Sequence, residues 1–168
     1  MQLEECTFEN TSEFNVGPKI HAKILSCYDG DTFTVAIMLD KIPYKFTCRL
    51  MGCDTPEMKT SSTKTQQEKE QQKSLAVAAK LALLKHLTDC TFENVAATAT
   101  ATATATAINS KELDKHIKNN KKIIELDTFG FDKYGRLLVN YNIGNIMLSD
   151  FMITNGHAYA YSGGTKQK

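Results

Sequence analysis

No stretch of the 168-residue sequence is long and apolar enough to span a membrane. Its first residues, Met1-Gln2-Leu3-Glu4-Glu5-Cys6, bring neither the basic n-region nor the apolar h-region of a secretory signal, and Gln2 stands where N-myristoylation needs glycine. The five cysteines, Cys6, Cys27, Cys48, Cys53 and Cys90, are odd in number and lack metal-ligand spacing, which argues against a disulfide framework and against a zinc site. Thiols fit a reducing compartment, so the expectation is an intracellular, cytoplasmic protein with no membrane partner. Cys27 and Cys48 fall in apolar strand patterns and read as core. A strong basic excess is also missing. Lys and Arg number 20 against 19 Asp and Glu, a formal net charge of +1, whereas tight non-specific nucleic-acid binders usually show more. Positive charge is clustered instead: Lys111, Lys115, Lys118, Lys121 and Lys122 crowd one stretch, and Lys166 and Lys168 end the chain. The stretch reads first as a solvated loop.

The length suits one domain, and the expected division is an N-terminal extension at 1–17, a domain at 18–162 and a short basic tail at 163–168. His21 to Tyr28 reads as a strand. Phe33, Val35, Ile37 and Leu39 then alternate with Thr32, Thr34, Ala36 and Met38, and after a turn at Asp40 to Pro43 the run Tyr44, Phe46, Cys48, Leu50 alternates with Lys45, Thr47 and Arg49. This predicts a three-strand meander with Arg49 off its apolar face. Residues 58–67 read as a polar loop, and from about Glu68 to Leu87 the period becomes helical, with a stripe of Leu75, Ala78, Ala79, Ala82 and Leu83. The Ala-Thr repeat from Ala97 to Ala107 sets off a low-complexity insert at 96–107 that has too little to bury to offset its ordering entropy. Lys122 to Asp127 predicts a fourth strand and Arg136 to Ile143 a fifth, with Leu137, Val139, Tyr141 and Ile143 inward. Asn145 is placed to cap a short helix stopped by Gly156. Three strands, a helix, two strands and a helix predict an α+β fold: a five-stranded OB-type β-barrel with two packed α-helices.

Three runs carry chemistry: Asp29-Gly30-Asp31-Thr32, then Arg49-Leu50-Met51-Gly52-Cys53-Asp54-Thr55-Pro56-Glu57, then Asp132-Lys133-Tyr134-Gly135-Arg136. Each has a plain reading. Asp29-Gly30 is a common hairpin turn, Asp54-Thr55-Pro56-Glu57 is a turn with a helix-start proline, and either arginine serves as a surface ion-pair partner. Taken together they say more. Asp31 and Asp54 both border strands of the meander and can meet at one barrel rim, where carboxylates with a carbonyl oxygen suit a hard cation such as Ca²⁺ rather than zinc. Guanidinium groups grip two phosphate oxygens at once and stay protonated at any working pH.

In order and internal spacing these runs resemble the staphylococcal nuclease (thermonuclease) family. The resemblance implies the OB-type barrel and a Ca²⁺-dependent nuclease acting on DNA and RNA as a monomer, preferring single or open strands and leaving 3′-phosphates. It implies metal ligation by Asp31 and Asp54 through carboxylates and by Thr55 through its backbone carbonyl, with Asp29 in the outer shell and Mg²⁺ or Mn²⁺ as substitute ions. Glu57 matches the proposed general base, Arg49 and Arg136 the phosphate-clamping pair, and Asp132, Lys133 and Tyr134 a nucleotide-contact segment. Tyr159 and Tyr161 lie near base-stacking positions, though each reads equally as a half-buried core tyrosine. His21, His86, His116 and His157 match no catalytic position. Bacterial members continue into another helix where this sequence reads Gly163-Gly164-Thr165-Lys166 near Lys168, an ending similar to that of family members from large DNA viruses, and residues 1–17 are expected to fill the gap. Two alternatives stand beside the nuclease: a catalytically inactive nuclease-like module that binds single-stranded nucleic acid, and a structural domain in which the Ala-Thr insert docks a partner. No sequence feature names a protein partner.

Overall fold

A computed structural model describes residues 3–59, 62–63, 65–90 and 110–161, and at 110–112 the backbone alone. The expected insert at 96–107 and tail at 163–168 lie outside the described residues. Five strands close into a barrel in the order β1 (Lys19–Cys27), β2 (Thr32–Leu39), β3 (Ile42–Leu50), β6 (Leu137–Asn140), β5 (Ile124–Phe131). All neighbours are antiparallel except β3 and β6, which run parallel with Cys48 opposite Leu137 and Leu50 opposite Val139. Closure removes the unpaired strand edges that an open sheet exposes. Alternation fills the interior: Ile20, Ala22 and Ile24 from β1, Phe33, Val35 and Ile37 from β2, Cys48 and Leu50 from β3, and Leu126, Leu137 and Val139 from β5 and β6 are all buried.

The meander is as the alternation predicts, with a tighter turn. Asp40 and Lys41 alone form the β2–β3 loop, at φ 49° and 67°, so Ile42 and Pro43 already pair with Leu39 and Met38. Two left-handed residues in succession match the twist of the flanking strands.

Helix α1 (Gln66–Leu87) begins two residues earlier than the period suggests, because Thr65 and Glu68 form a capping box. The Thr65 hydroxyl accepts from the Glu68 amide, and the Glu68 carboxylate accepts from the Thr65 amide at 2.7 Å, which satisfies two otherwise orphaned donors. The buried stripe is also rotated from the expected one: Ala76, Ala79, Leu83, Leu84 and Leu87 face the core, while Leu75 and Ala78 are exposed. Hydropathy did not fix the rotation, since alanines surround the whole helix. Contact with the barrel at Ala79 does.

The lysine-rich stretch is not a loop. Residues Ser110–Asn119 form helix α2, which buries Leu113 and Ile117 and packs on β1. The two apolar residues are four apart, enough to seat ten residues whose other side faces water. Asn120 closes the junction with α1, its carboxamide oxygen accepting from the amides of Asp89 and Lys122, both at 3.2 Å.

Strand β6 ends at Asn140 rather than Ile143, and Tyr141 and Ile143 are half-buried. A two-residue hairpin follows, β7 (Asn142–Ile143) against β8 (Ile146–Met147), with Gly144 at φ 62° in its turn. Asn145 is therefore in that turn and cannot cap α3 (Leu148–Thr154), whose N-cap is Met147. Its orphan amides find another partner: Asn140, buried at the end of β6, accepts from the Ser149 amide at 3.3 Å and donates to the Ser149 hydroxyl at 2.7 Å. Gly156, at φ 71°, ends the helix as expected.

Residues preceding β1 lie against the barrel. The Phe14 ring stacks on Phe46 at 6.4 Å and meets Phe131 at 6.1 Å, so the segment touches the barrel at this residue. Hydrogen bonds continue the attachment, from the Thr128 amide to the Pro18 carbonyl at 2.9 Å and from the Thr128 hydroxyl to the Gly17 carbonyl. Among the described residues no helix is long and apolar enough to cross a membrane.

Candidate functional site

Asp31 ends the β1–β2 connection, one residue before β2, and only 1% of it is exposed. Asp29 shapes that connection by an Asx turn: its Oδ1 accepts from the amides of Asp31 at 3.2 Å and Thr32 at 2.8 Å. Gly30 is needed between them for space, since a Cβ there would sit 2.7 Å from the Ala79 Cβ and 2.9 Å from the Thr55 Cγ2. The turn thus wedges between α1 and the segment after β3.

Thr32 is opposite Arg49 in the β2–β3 register, which brings the Arg49 side chain up to Asp31. Gly52, at φ 88°, then reverses the chain into β4 (Cys53–Asp54), so Asp54 returns to the same place. The Arg49 guanidinium joins the two acids: Nη1 donates to Asp31 Oδ1, Nη2 donates to Asp54 Oδ1 at 2.6 Å and to the Cys53 carbonyl at 3.2 Å. Asp31 Oδ2 accepts from the Thr55 amide and hydroxyl, each at 2.8 Å, and Oδ1 also accepts from the Thr32 hydroxyl at 2.9 Å. Asp29 and Asp31 from one run and Arg49, Asp54 and Thr55 from another form one cluster.

Burial, with the Asp31 carboxylate beside it, pushes the Asp29 carboxyl up to about 6. Burial acts against the charged form of Arg49, but Asp31, Asp54 and Asp29 outweigh it and hold the guanidinium proton more firmly than usual. Burial pushes the thiols of Cys27, Cys48 and Cys53 up to about 12, so these core cysteines stay protonated. All five cysteines are thiols.

Glu57 is exposed on the loop after Thr55, three residues from Asp54. The helix steadies that loop, since Gln72 Nε2 donates to the carbonyls of Glu57 at 3.0 Å and Lys59 at 3.3 Å.

A second cluster occupies the β5–β6 hairpin. Asp132 Oδ1 accepts from the amides of Tyr134 and Arg136, both at 2.9 Å, and Oδ2 accepts from Arg136 Nε at 2.7 Å. Burial alone raises the Asp132 carboxyl, yet these bonds outweigh it and hold the group below the usual carboxylate range. Gly135 takes φ 76° to close the turn. Tyr134 is 72% exposed, with Lys133 Nζ 5.1 Å and Arg136 Cζ 5.4 Å from its ring centre. The parallel pairing sets Arg49 opposite Leu138, two residues beyond Arg136, so Arg136 stands just before the start of the strand that neighbours Arg49.

The last described segment completes this end. Strand β9 (Tyr159–Ala160) pairs with β4 so that Tyr159 is opposite Asp54, and the Tyr161 amide donates to the Gly52 carbonyl at 3.0 Å. Tyr159 is 63% exposed, which removes the half-buried reading for it, whereas Tyr161 is 36% exposed.

The family model for staphylococcal nuclease homologues matches residues 47–168, the greater part of the chain. The chain belongs to the staphylococcal nuclease homologue family. No curated protein matches the chain. Its domain is accordingly nuclease-like, of a kind that binds or hydrolyses nucleic acid, on the OB-type barrel expected for the family. The match begins inside β3 and leaves out Asp29 and Asp31, although both lie in the cluster with the matched Arg49, Asp54 and Thr55.

Several supporting residues were not picked out by the sequence reading. Thr32 follows directly on Asp31, and the signal that could have found its amide is the aspartate three residues before it, placed for an Asx turn. Gln72 and Ala79 gave no signal, since a polar and a small residue on a helix have no preferred partner until the helix is docked. Among the described residues no group of three or more His, Cys, Asp or Glu side chains gathers at metal-holding distance.

Proposed function

We propose that this chain is a metal-dependent nuclease that hydrolyses phosphodiester bonds of DNA and RNA, with single or open strands preferred and 3′-phosphates as products. The observation that carries the reading is Arg49 spanning Asp31 and Asp54 at a barrel end rimmed by the exposed Tyr134, Tyr159 and Tyr161. An acid pair close enough to share one guanidinium is a hard, anionic oxygen set, and it fits Ca²⁺, with Mg²⁺ or Mn²⁺ as alternatives. Asp31, Asp54 and the Thr55 carbonyl would hold the ion, with Asp29 fixing the Asp31 backbone. When bound, such an ion supplies charge stabilisation to the phosphoryl group.

The chain's own residues divide the remaining work. Glu57, exposed three residues beyond Asp54, accepts a proton from the attacking water. Arg49 and Arg136 grip the phosphoryl oxygens as charge builds on them. Asp132 orients Arg136 through Nε, which leaves the two Nη groups for phosphate. Lys133 meets a neighbouring phosphate, while Tyr134, Tyr159 and Tyr161 offer faces for splayed bases.

The test is cleavage of denatured DNA and of RNA with Ca²⁺, with Mg²⁺ and with chelator, beside Glu57→Ser and Arg49→Gly. Ca²⁺-dependent cleavage that falls by about 10²-fold or more in both variants is the expected result, as for other charge-stabilising donors. Strand binding without cleavage under every metal condition would overturn the enzyme reading in favour of a nuclease-like binding module.

A further inference from the structure

We propose that Arg49 and the cation compete for the same carboxylate oxygens, so that Arg49 becomes available to substrate phosphate only as the cation takes its place between Asp31 and Asp54. The proposal rests on the nuclease reading above and concerns how its site is switched on. It starts from the hydrogen-bond capacity of Asp31. A carboxylate offers about four lone-pair sites on its two oxygens. Asp31 fills all four: Arg49 Nη1 and the Thr32 hydroxyl on Oδ1, the Thr55 amide and hydroxyl on Oδ2. Being 1% exposed, it has no unused face to turn towards an ion. Any cation that takes Asp31 as a ligand must displace one of these four donors.

Their chemistry decides which one. The Thr55 amide is backbone, fixed by the β4–β9 pairing just before it. The hydroxyls of Thr32 and Thr55 are neutral and can remain beside a metal-bound oxygen. Arg49 is the one positive charge of the four, so it alone is repelled by an arriving cation. Arg49 also donates to Asp54 Oδ1 at 2.6 Å, so the same displacement withdraws the guanidinium from the second ligand as well. One movement of a long side chain thus exchanges a monovalent bridge for a divalent one. The guanidinium that leaves carries all its donors to the place where the phosphate is gripped.

In the absence of a cation, Arg49 is then neutralised by two acids and contributes little to holding a phosphate. Nucleic acid without metal is bound without the Arg49 half of its clamp, and metal precedes productive phosphate binding.

The experiment is a calorimetric titration of Ca²⁺ into the full chain and into Arg49→Gln, with Arg49→Lys as the variant that keeps a charge but cannot span both acids. Couplings between two ligands of one site typically run 5–150-fold, and we expect Arg49→Gln to bind Ca²⁺ about tenfold more tightly than the wild type, with Arg49→Lys between them. Equal or weaker affinity in Arg49→Gln overturns the competition and leaves the cation reading standing. No Ca²⁺ binding by the wild type or either variant at millimolar ion overturns both. A second measurement needs no variant: guanidinium ¹⁵N signals of Arg49 in the wild type should lose their hydrogen-bonded shift on Ca²⁺ addition and move again when a nucleoside 3′,5′-bisphosphate is added. Signals unchanged at saturating Ca²⁺ overturn the proposal.

Discussion

Gly30 touches Ala79 so closely that no side chain fits between them: a Cβ on Gly30 would lie 2.7 Å from the Ala79 Cβ and 3.1 Å from the Ala79 backbone carbonyl carbon. Backbone cannot give way as a side-chain end does. Gly30→Ala must therefore push α1 outward or drive Thr55 away from Asp31. Overpacking of this kind costs about 1–3 kcal/mol. A thermal melt should show a drop of several degrees, and cleavage should fall further than stability alone explains. Unchanged melting and activity would contradict the close contact.

Asp29 gives the protein a pH dependence whose sign is fixed. Its carboxyl rises from 3.8 to about 6 on folding, through burial and the charge on Asp31. The folded state therefore holds a proton that the unfolded state has lost, and this contribution is complete below pH 4 and lost as pH rises through 6. Asn at this position keeps an oxygen for the amides of Asp31 and Thr32 and never ionises. Asp29→Asn should raise the melting temperature at pH 7 by a few degrees, corresponding to about 1 kcal/mol after solvent screening, and have little effect at pH 4. Melting curves across that range check it, and an equal gain at both pH values would refute the assignment.

For Asp132 the sign is opposite. Its folded carboxyl is held low by the amides and side chain of Arg136 and the amide of Tyr134, so its contribution is present above the unfolded value of 3.8 and lost as pH falls through the lower folded one. Asp132→Ala removes three bonds from the hairpin and sets Arg136 loose. Misplacing a positioning group can cost up to about 10²-fold in turnover, and a loss between tenfold and that limit is expected, together with a melting temperature lowered by a few degrees at neutral pH. Steady-state kinetics on single-stranded substrate decide it; full activity would mean that Arg136 needs no anchor.

The Phe14 ring, though 62% exposed, stacks at 6.4 Å on Phe46 in a nearly parallel arrangement. Aromatic pairs contribute about 0.5–1.5 kcal/mol beyond buried area. Phe14→Ala should lower the melting temperature by a few degrees, and removal of residues 1–17 by more. A truncated chain that melts like the full one would deny these residues a stabilising part.

Leu113 and Ile117 are the whole buried side of α2 as described. Leu113→Ala should cost about 2–5 kcal/mol. Loss of helical signal at unchanged barrel stability would show instead that α2 docks independently of the core.

The strands of the meander were legible because each buries one side: Val35 and Ile37 cannot exchange places with Thr34 and Ala36 without exposing the core. The acid pair was legible because Asp31 and Asp54 border strands of that same meander. What escaped was set by contacts distant in sequence. The rotation of α1 depends on Ala79 meeting Gly30, and Asn140 rather than Asn145 serves α3 because the β7–β8 hairpin takes Asn145 into its turn. The charged character of α2 concealed that two residues, Leu113 and Ile117, suffice to dock it. Thr65-x-x-Glu68 was a readable start signal for α1, and its effect was to lengthen the helix by a turn's half.

The family match and the barrel do not share a boundary. Residues 47–168 include β6 and most of α1's surroundings, but β1, β2 and the first part of β3 precede them. A fragment cut to the matched segment would be a vessel missing two of its five staves, with Ile124, Leu126, Leu137 and Val139 turned to water. It would also hold Arg49 without the buried acid that now faces it. An expression design for this protein should keep residues 14–46 together with the matched segment, because the packed Phe14 and the buried Asp31 both precede it.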